Sequence, residues 1–505
     1  MVLLGMKAFP VCVEADLSEG LPIFEMVGYL SGEVKESKER IRTALKNSGF
    51  FLPAKRITVN ISPADLRKSG SAFDLAVAVA LVSSMGVVEF EDKEHTIIVG
   101  EMSLSGKLKG INGILPMVLE AVRLGYKKFI LPRENVREGS AVEGIDVIGV
   151  SSLQEAVDYL NGDRDIESVS YSIEDLLRVK AFENCDFSEV RGQEAARRGM
   201  EVAAAGMHNI LLIGPPGSGK SMMAKRLPTI LPPLTKEECL QATEIYSVAG
   251  MLGPEGIVTS RPFISPHHTM SAQAMSGGGR IPRPGAVSLA HRGVLFLDEF
   301  PEFERKALEI LRQPMEDREI RISRAYGTFA FPADFLLVAA MNPCPCGFYP
   351  NPTKCQCTEL EVKHYLSKVS RPILDRIDIC VEASEIRFEE LKGEGVSESS
   401  ESIRQRVMDA VEIQKKRFRD TGIRFNSEIG VRELKKFCPI GIKEERLLEE
   451  SFKKLSLSAR AYHRILKCAR TIADLDHSDR ILCRHISEAA GYRGMDRRYW
   501  DAKGR

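Results

Sequence analysis

The chain has 505 residues, which exceeds the size of one hydrophobic core and predicts two or three domains. Hydrophobic residues make up 44% of the sequence and charged residues 28%, as in an ordinary soluble globular protein. Basic and acidic residues number 70 each, and this neutral balance argues against a simple sequence-specific DNA-binding protein. It does not exclude a motor whose basic groups line a pore.

The start of the sequence lacks the features of a targeting segment. Residues 1–7 contain too short an apolar run for a signal peptide, and no small-residue cleavage pattern follows them. No run of about 18 uncharged apolar residues occurs, so no membrane span is predicted. We therefore expect a cytoplasmic protein, whose 11 cysteines stay reduced in that compartment.

The amino-terminal region alternates strands and helices and predicts an α/β domain over residues 1–165. Its predicted elements are a strand at 56–61, a buried apolar helix at 72–82, a strand at 97–100, a helix at 118–124 ended by Gly125, and a strand at 129–131. A polar, acidic connector follows this region, and it predicts a linker over residues 166–185.

Two further regions follow the linker. A second α/β domain is predicted over residues 186–390, and a Ser/Glu-rich stretch lies just beyond it. The remaining residues, 391–505, have helical periodicity, for example at 403–418 and 459–475. The predicted fold class is therefore α/β with a helical carboxyl-terminal region.

A phosphate-binding loop is predicted directly after the apolar strand at 209–213, and a helix follows it at 222–227. Its glycines let backbone N–H groups surround phosphates at a helix amino terminus. We expect Lys220 to reach the β- and γ-phosphates of ATP, and Ser221 to bind Mg²⁺. The residues that fit G-x-x-x-x-G-K-[ST] are Gly214, Pro215, Pro216, Gly217, Ser218, Gly219, Lys220 and Ser221.

A pair of acidic residues is expected to complete the nucleotide site. Residues 293–297 form a continuous apolar run, typical of a central parallel strand, and Asp298 and Glu299 end it. We expect Asp298 to bind Mg²⁺ through water molecules and Glu299 to polarise the water that attacks ATP. The second acid favours hydrolysis of ATP over transfer of its phosphoryl group to another substrate.

Four longer segments together resemble the ComM/YifB family of Mg-chelatase-like AAA+ ATPases, and the likeness covers nearly the whole chain. They lie at residues 56–68, 261–269, 341–347 and 366–378. The resemblance implies a homohexameric motor with helicase or branch-migration activity on single-stranded or branched DNA. It also implies a P-loop AAA+ core and, beyond it, a helical lid domain.

Three further site residues are assigned by the resemblance. Asn342 ends an apolar strand at 335–341 and is similar to the sensor-1 residue that helps to position the attacking water. Arg376 is similar to the arginine finger that reaches the γ-phosphate of a neighbouring subunit, and Arg460 to the sensor-2 arginine of the lid. With Glu299 these residues form the expected catalytic set, and a finger that acts on a neighbour implies a ring.

The interval between Lys220 and Asp298 leaves room for an insert at 250–285, which resembles the helix-2 insert of the chelatase/MCM branch of AAA+ proteins. The insert contains a glycine-rich segment at 277–280. It also contains His267 and His268, which are either metal ligands or parts of a loop or pore. We favour the loop or pore role, because adjacent side chains converge poorly on one ion.

A β-hairpin is predicted at residues 316–331, where apolar and polar residues alternate around Ala325-Tyr-Gly. Arg321 and Arg324 lie on this hairpin. They either contact nucleic-acid phosphates or are simply solvated, and the sequence does not favour one alternative.

A cluster of four cysteines follows the Asn342 strand. Four thiolates so close in sequence favour a structural Zn²⁺ site over a chance cluster, although C-x-C is tighter than the usual C-x₂-C spacing. The cysteines are Cys344, Cys346, Cys355 and Cys357.

The amino-terminal region resembles a Lon-type protease domain, of ribosomal S5-type fold, around Ser71. The lysine that pairs with this serine in that family falls at Leu115, and a serine without a base is not a usable nucleophile. Lys107 and Lys109 are the alternative bases. We interpret residues 1–165 as a non-proteolytic assembly or DNA-contacting platform. Two alternatives to a DNA-remodelling motor stay open: a Mg-chelatase motor subunit and an ATP-dependent protease.

Overall fold

The computed structural model describes residues 1–169, 172–173, 185–279, 282–324, 327–385, 397–455 and 457–500, without the side chains of 495–497. Some predicted features lie outside these residues. They are most of the linker at 166–185, residue Arg280 of the insert, the hairpin turn at 325–326 and part of the Ser/Glu-rich stretch.

The amino-terminal region contains two three-stranded sheets. In the first, β5 lies between β3, to which it is antiparallel, and β4, to which it is parallel. In the second, β9 lies between β10 and β6, and all three strands are parallel. The elements are β1 (Val2–Leu4), β2 (Lys7–Phe9), β3 (Cys12–Ser18), β4 (Phe24–Val27), α1 (Gly32–Asn47), β5 (Arg56–Ser62), α2 (Asp74–Ser84), β6 (Thr96–Ile98), β7 (Glu101–Met102), β8 (Leu108–Lys109), α3 (Ile114–Arg123), β9 (Lys128–Pro132), α4 (Val136–Gly139), β10 (Asp146–Val150) and α5 (Leu153–Leu160).

Helix α2 is the centre of this region. Almost all of its apolar side chains are buried, because it packs against α1, α5 and β3 rather than facing water on one side. Its sequence predicts a buried helix, and the structure confirms this. Helix α3 ends with Gly125 in the left-handed region at φ +85°, which is the predicted helix stop.

A second region is built around a five-stranded parallel sheet with the order β12-β15-β18-β11-β19. Its elements are α6 (Glu194–Gly206), β11 (Ile210–Ile213), α7 (Lys220–Ile230), α8 (Lys236–Ala249), β12 (Phe263–Ile264), α9 (Ala272–Ser276), β13 (Gly277–Gly278), β14 (Arg283–Pro284), α10 (Ala286–Leu289), β15 (Val294–Leu297), α11 (Arg305–Ile310), α12 (Pro314–Asp317), β16 (Glu319–Arg324), β17 (Gly327–Pro332), β18 (Leu336–Met341), α13 (Glu359–Ser367), α14 (Arg371–Leu374) and β19 (Ile379–Glu382).

The two faces of this sheet have separate cores. Alternate residues such as Ile210, Leu212 and Phe296 pack on one face, and their neighbours Leu211 and Leu295 pack on the other. Because both faces are buried, the strands are apolar without interruption, as the sequence predicts. The predicted hairpin is also present, as the antiparallel pair β16 and β17.

The carboxyl-terminal region is helical in its described residues, and its helices share a core with one face of the sheet. Helix α15 packs against α6 and α7, and α18 packs against α6. No helix in the part of the chain that the structure describes is long and apolar enough to cross a membrane. The helices are α15 (Ser400–Arg417), α16 (Leu434–Phe437), α17 (Ile442–Leu455), α18 (Ala459–Leu475), α19 (Cys483–Gly491) and α20 (Gly494–Tyr499).

The amino-terminal region packs directly on α8 of the second region. Helix α8 begins with a capping box formed by Thr235 and Glu238, and it runs alongside α3. Glu138 is buried at this contact, where its carboxylate accepts hydrogen bonds from the Ser247 hydroxyl and, at 2.8 Å, from the Leu115 N–H. The contact therefore has both a polar and an apolar part.

Candidate nucleotide site

The candidate site lies where three neighbouring parallel strands end. Strand β18 lies between β11 and β15, so the loop after β11, Asp298 after β15 and Asn342 after β18 meet at the same edge of the sheet. Ligands bind at this edge in parallel α/β sheets. The fold therefore brings together residues that the sequence separates widely.

The loop between β11 and α7 can form only with its glycines. A side chain at Gly214 would lie 2.2 Å from the carbonyl oxygen of Ala383, just after the neighbouring strand β19. Gly217 and Gly219 have φ values of +75° and +82°, which other residues rarely adopt. The loop then leads directly into the amino terminus of α7, where the backbone N–H groups favour an anion.

The Lys220 side chain lies along this loop. Its Nζ donates to the carbonyl oxygens of Gly214 and Pro215, both at 2.8 Å, and to Oδ1 of Asn342 at 3.2 Å. Burial lowers the pKa of Lys220 to about 8, and the nearby Asp298 carboxylate opposes this shift. The structure therefore places Lys220 and Asn342 in contact, although 122 residues separate them.

The acidic pair stands beside the first turn of α7. The Ser221 hydroxyl donates to the carboxylate of Asp298, and the Glu299 N–H donates to the same carboxylate at 2.9 Å. A hydroxyl and a carboxylate are oxygen ligands of the type that Mg²⁺ prefers, so these two side chains fit the ion.

Glu299 has two features that its sequence does not predict. Its φ of +50° lies in the left-handed region, where a residue with a side chain is strained. Its Oε2 lies 3.0 Å from Nδ1 of His268, which belongs to the predicted insert. The ring of His267 packs against that of His268, with centroids 4.2 Å apart. The insert therefore contacts the acid that is expected to act on water.

The two predicted arginines meet at one carboxylate instead of at the P-loop. Arg376 is only 4% exposed, donates to the Pro372 carbonyl at 2.6 Å and donates to Glu316. Arg460 is 60% exposed, and its guanidinium lies 3.6 Å from the same Glu316 carboxylate. The roles of Arg376 as a finger in a neighbouring active site and of Arg460 as the sensor-2 arginine of the lid stay predictions.

Gln193 is a site residue that the sequence analysis missed. Its side-chain amide donates to the carbonyl oxygens of Ser218 in the P-loop, at 3.1 Å, and Ser384 beyond β19, at 2.7 Å. The backbone N–H of Ser384 in turn donates to the side-chain oxygen Oε1 of Gln193 at 3.0 Å. No sequence pattern marks this glutamine, because its partners are distant in the chain.

The four predicted cysteines come together beside this site. Their Sγ atoms all lie within 4.8 Å of one another, and these thiols form the one candidate metal cluster of histidine, cysteine and acidic side chains in the described part of the chain. Desolvation raises the pKa of Cys346, but hydrogen bonds from the Phe348 and Gln356 N–H groups outweigh it and lower the pKa to about 6. Desolvation raises the pKa of Cys355 and of Cys357. The closeness of the four Sγ atoms is what fits one metal ion. His267 and His268 belong to no such cluster.

The contacts around Ser71 differ from a serine–lysine pair. Its hydroxyl donates to Glu101, and the neighbouring Lys68 amine donates to the Pro63 carbonyl. Leu115 is completely buried and packs in a cluster with Leu234, Cys239 and Ile257 of the second region. Leu115, the position that the resemblance aligns with the lysine of a Lon-type domain, is thus part of the contact between the two regions.

Three family profiles match separate parts of the chain. The profile described as magnesium chelatase, subunit ChlI, matches residues 186–391. The profile described as subunit ChlI of Mg-chelatase matches residues 13–135. The profile described as the carboxyl-terminal part of magnesium chelatase subunit ChlI matches residues 397–493. Together they cover both the sheet that holds the candidate site and the helices that follow it.

Two bacterial proteins are similar to the chain over almost its full length, and two others over a shorter part. YifB of Salmonella typhimurium is 41% identical over 501 residues, which are 98% of this chain and 96% of YifB. Competence protein ComM of Haemophilus influenzae is 40% identical over 496 residues, again 98% and 96%. DNA repair protein RadA of Halalkalibacterium halodurans is 32% identical over 117 residues, or 23% of this chain and 25% of RadA.

Lon protease 2 of Bacillus subtilis is 28% identical over 141 residues, or 28% of this chain and 25% of the protease. These two partial matches support a mixed α/β fold with a Lon-like part. The long matches extend over the P-loop, the acidic pair and the helices that follow. The chain therefore belongs to the ComM/YifB family of magnesium-chelatase-like AAA+ ATPases.

Proposed function

We propose that the protein is an ATP-hydrolysing motor that remodels DNA as a ring of identical subunits, in the cytoplasm. The observation that carries this proposal is the meeting of Lys220, Asp298 and Asn342 at three neighbouring strand ends. A phosphate-binding lysine, a metal-binding carboxylate and a polar group for water are the parts that ATP hydrolysis needs.

In this proposal the P-loop N–H groups and Lys220 bind the β- and γ-phosphates of ATP. Ser221 and Asp298, which share a hydrogen bond, would hold Mg²⁺, which when bound would supply positive charge beside the phosphates. Glu299 accepts a proton from the attacking water, and Asn342 orients that water. Each step uses a residue at the same edge of the sheet.

The proposed ring depends on Arg376, the predicted arginine finger, which shares an acidic partner with Arg460, the predicted sensor-2 arginine of the lid. Both guanidinium groups face Glu316 within one subunit, so the side chain of Arg376 must leave this ion pair to reach a neighbouring γ-phosphate. In the proposed assembly step, the Arg376 guanidinium exchanges the Glu316 carboxylate for the γ-phosphate of the neighbouring subunit's ATP, because ATP carries more negative charge than Glu316. We propose a hexamer on the basis of the family resemblance.

The proposed DNA-contacting surface consists of the hairpin β16–β17 and the glycine-rich segment of the insert. The guanidinium of Arg324 donates to the Gly279 carbonyl at 3.3 Å, so the two elements lie together. Arg321 is 63% exposed and also lies on the hairpin. Exposed arginines on one strand of the hairpin, beside the insert, suit a sequence-independent contact with phosphates. RadA, which shares part of this sequence, is a DNA repair protein by name.

The proposed domain layout has three parts. Residues 1–165 form a non-proteolytic Lon-like platform, 186–390 the AAA+ core, and 391–505 a helical lid, with a linker at 166–185. The packing of α15 and α18 against α6 supports the lid, because this places the helices on the same sheet whose strand ends hold the nucleotide site.

A magnesium-chelatase-like motor that acts on a protein partner is the second candidate function. The three ChlI profiles favour it, because they match the core and the helices of this chain. The ATP-dependent protease has weaker support, because Leu115 is buried in an interdomain contact and the contacts of Ser71 include no amine base.

ATP hydrolysis by the purified chain, with and without single-stranded and branched DNA at one stated salt concentration, tests the proposal. We expect several-fold stimulation by DNA in the wild-type protein. Arg376→Ala should lose turnover in both conditions while it still binds ATP. Arg432→Ala, a change at an exposed arginine, is the matched control and should behave like the wild type.

Equal turnover with and without DNA would remove the DNA part of the proposal and leave the ATPase intact. Stimulation by a protein partner instead of DNA would then favour the chelatase-like motor. Full activity of Arg376→Ala would contradict the trans-acting finger.

A further inference from the structure

We propose that Cys344, Cys346, Cys355 and Cys357 bind one structural zinc ion, which fixes the loop that carries Asn342 against the P-loop. The zinc site itself is independent of the proposed function. Its effect on ATP turnover rests on that function, so the two parts have separate readouts.

The sulfur positions fit one tetrahedral ion. Four thiolates at about 2.3 Å from a zinc ion lie about 3.8 Å from one another at the corners of a tetrahedron. The Sγ–Sγ distances are 3.4 Å between Cys344 and Cys346, 3.8 Å between Cys344 and Cys355, and 3.6 Å between Cys346 and Cys355, and Sγ of Cys357 lies within 4.8 Å of the other three. None of the four cysteines is in a disulfide. A set of four thiolates leaves no open coordination position, which is typical of a structural site.

The loop supports these sulfur positions with its backbone. The Tyr349 N–H donates to Sγ of Cys344 at 3.3 Å, and the Cys355 N–H donates to the Asn351 carbonyl at 2.9 Å. Cys344 is completely buried, whereas Cys346 and Cys355 are half-buried. Two cysteines thus come from each end of a compact loop. Among the described contacts, only weak thiol interactions link their sulfur atoms when no ion is bound.

The same loop contacts the nucleotide site at two points. Asn342 accepts a hydrogen bond from Lys220 at 3.2 Å and lies two residues before Cys344. At the other point, Gly347 has a φ of +87°, and a side chain there would lie 2.3 Å from the ring of Pro216 in the P-loop. An ion that ties Cys344 and Cys346 to the far end of the loop therefore holds both contacts in place.

Tyr499 lies near this loop, and Trp500 contacts the helix that follows the loop. The ring centroids of Tyr499 and Tyr349 lie 6.3 Å apart, and the indole N–H of Trp500 donates to the Leu366 carbonyl oxygen at 3.1 Å. Lys354, next to Cys355, forms an ion pair with Glu385 at 2.7 Å, beyond the end of β19. The loop thus contacts the P-loop, the segment after β19 and Tyr499. An ion that fixes the loop would hold these three contacts in place.

The test begins with metal content. We expect the full-length protein, purified without chelator, to contain one zinc ion per chain, and a mercurial that reacts with thiols to release it stoichiometrically. Cys346→Ser should lower the zinc content roughly tenfold or more. Cys185→Ser, at an exposed free thiol outside the cluster, is the matched control and should retain the ion.

The second readout uses the folded wild-type chain, so that no variant has to fold. After removal of zinc by a chelator, we expect ATP turnover to fall by roughly tenfold, whereas the dissociation constant of a fluorescent ATP analogue changes much less. Added zinc should restore turnover. Loss of turnover with nucleotide binding retained is the result expected if the ion positions Asn342.

Two results would overturn the proposal. A protein that contains no zinc after growth in zinc-supplemented medium, or that contains iron instead, contradicts the metal assignment. Unchanged turnover after complete zinc removal contradicts the role in fixing the Asn342 loop. A chain that holds zinc but never hydrolyses ATP would contradict the proposed function and leave the zinc site standing.

Discussion

Lys220 and Glu299 occupy separate positions in the nucleotide site and have separate tasks in the proposed reaction. Lys220 contacts the P-loop carbonyl oxygens and Asn342, whereas the Glu299 carboxylate contacts His268 of the insert. The sequence could predict that Glu299 lies at the same sheet edge as the P-loop that contains Lys220, because the ends of parallel strands meet at one edge of the sheet. The contact between Glu299 and His268 could not, because it joins two loops with no shared local pattern.

Substitution of these two residues should separate binding from hydrolysis. Lys220→Ala should abolish nucleotide binding, because the amine that neutralises the β- and γ-phosphates is lost. Glu299→Gln should bind ATP with nearly normal affinity and hydrolyse it about a hundredfold more slowly, because the amide cannot accept a proton. Nucleotide binding by fluorescence and steady-state ATP turnover measure the two effects, and appreciable turnover by Glu299→Gln would show that the carboxylate is misassigned.

His268 should act on Glu299 and not on ATP affinity. The contact with the His268 imidazole restrains the Glu299 carboxylate beside the insert, and loss of that contact leaves the carboxylate free to move toward a water at the nucleotide. An exposed pair of this kind contributes up to about 1 kcal/mol, so His268→Ala should raise unstimulated turnover by up to about fivefold. His267→Ala, one residue away, is the control and should stay within twofold of the wild type. Turnover per subunit at saturating ATP is the measurement, and a large loss of turnover in His268→Ala would contradict this role.

The strands and helices differ in how well the sequence predicts them. The helix at 459–475 has the predicted bounds, and the strands at 210–213 and 336–341 differ from the prediction by one residue at their start. Their patterns are strong because the strands are buried on both faces and the helix on one. The sequence analysis predicts no element within residues 1–50, although α1 buries a helical stripe formed by Val34, Ile41 and Leu45.

The docking of α3 on α8 is an element-level feature that no local pattern indicates. Residues of α3 and α8 are far apart in sequence, and the buried Leu115 and the Glu138–Ser247 hydrogen bond exist only when the two regions meet. Burial raises the pKa of Glu138, although hydrogen bonds from Ser247 and from the backbone oppose the shift. Leu115, which aligns with the catalytic lysine of a Lon-type protease domain in the resemblance, is therefore part of a buried apolar cluster here.

Leu115→Lys tests this contact. The lysine restores the residue type of a Lon-type domain, but it places an unpaired charge in an apolar cluster, which should destabilise the protein by about 3 kcal/mol. We expect a lower midpoint of thermal unfolding and no peptidase activity. Leu124→Lys makes the same change at an exposed position just after α3 and should leave the midpoint nearly unchanged. Peptidase activity of the wild-type protein would contradict the interpretation of residues 1–165 as non-proteolytic, and an unchanged midpoint in Leu115→Lys would contradict the role of Leu115 in the contact.

Across the whole molecule, the nucleotide site, the insert and the amino-terminal platform form one connected path. The insert contacts Glu299 through His268, the hairpin lies against the insert at Gly279, and the platform packs on α8. A DNA strand bound at the hairpin is thus two contacts away from the acid proposed to act on water. This connection gives the proposed motor a physical route from DNA binding to ATP hydrolysis.

Branch migration of a synthetic four-way DNA junction tests the central claim most directly. We expect the wild-type protein to convert the junction into two duplexes when ATP and Mg²⁺ are present, and Lys220→Ala and Glu299→Gln to fail. Arg321→Ala combined with Arg324→Ala should weaken the reaction while ATP hydrolysis without DNA is retained. A wild-type protein that hydrolyses ATP but leaves the junction, and a matching single-stranded overhang substrate, unchanged would contradict the account.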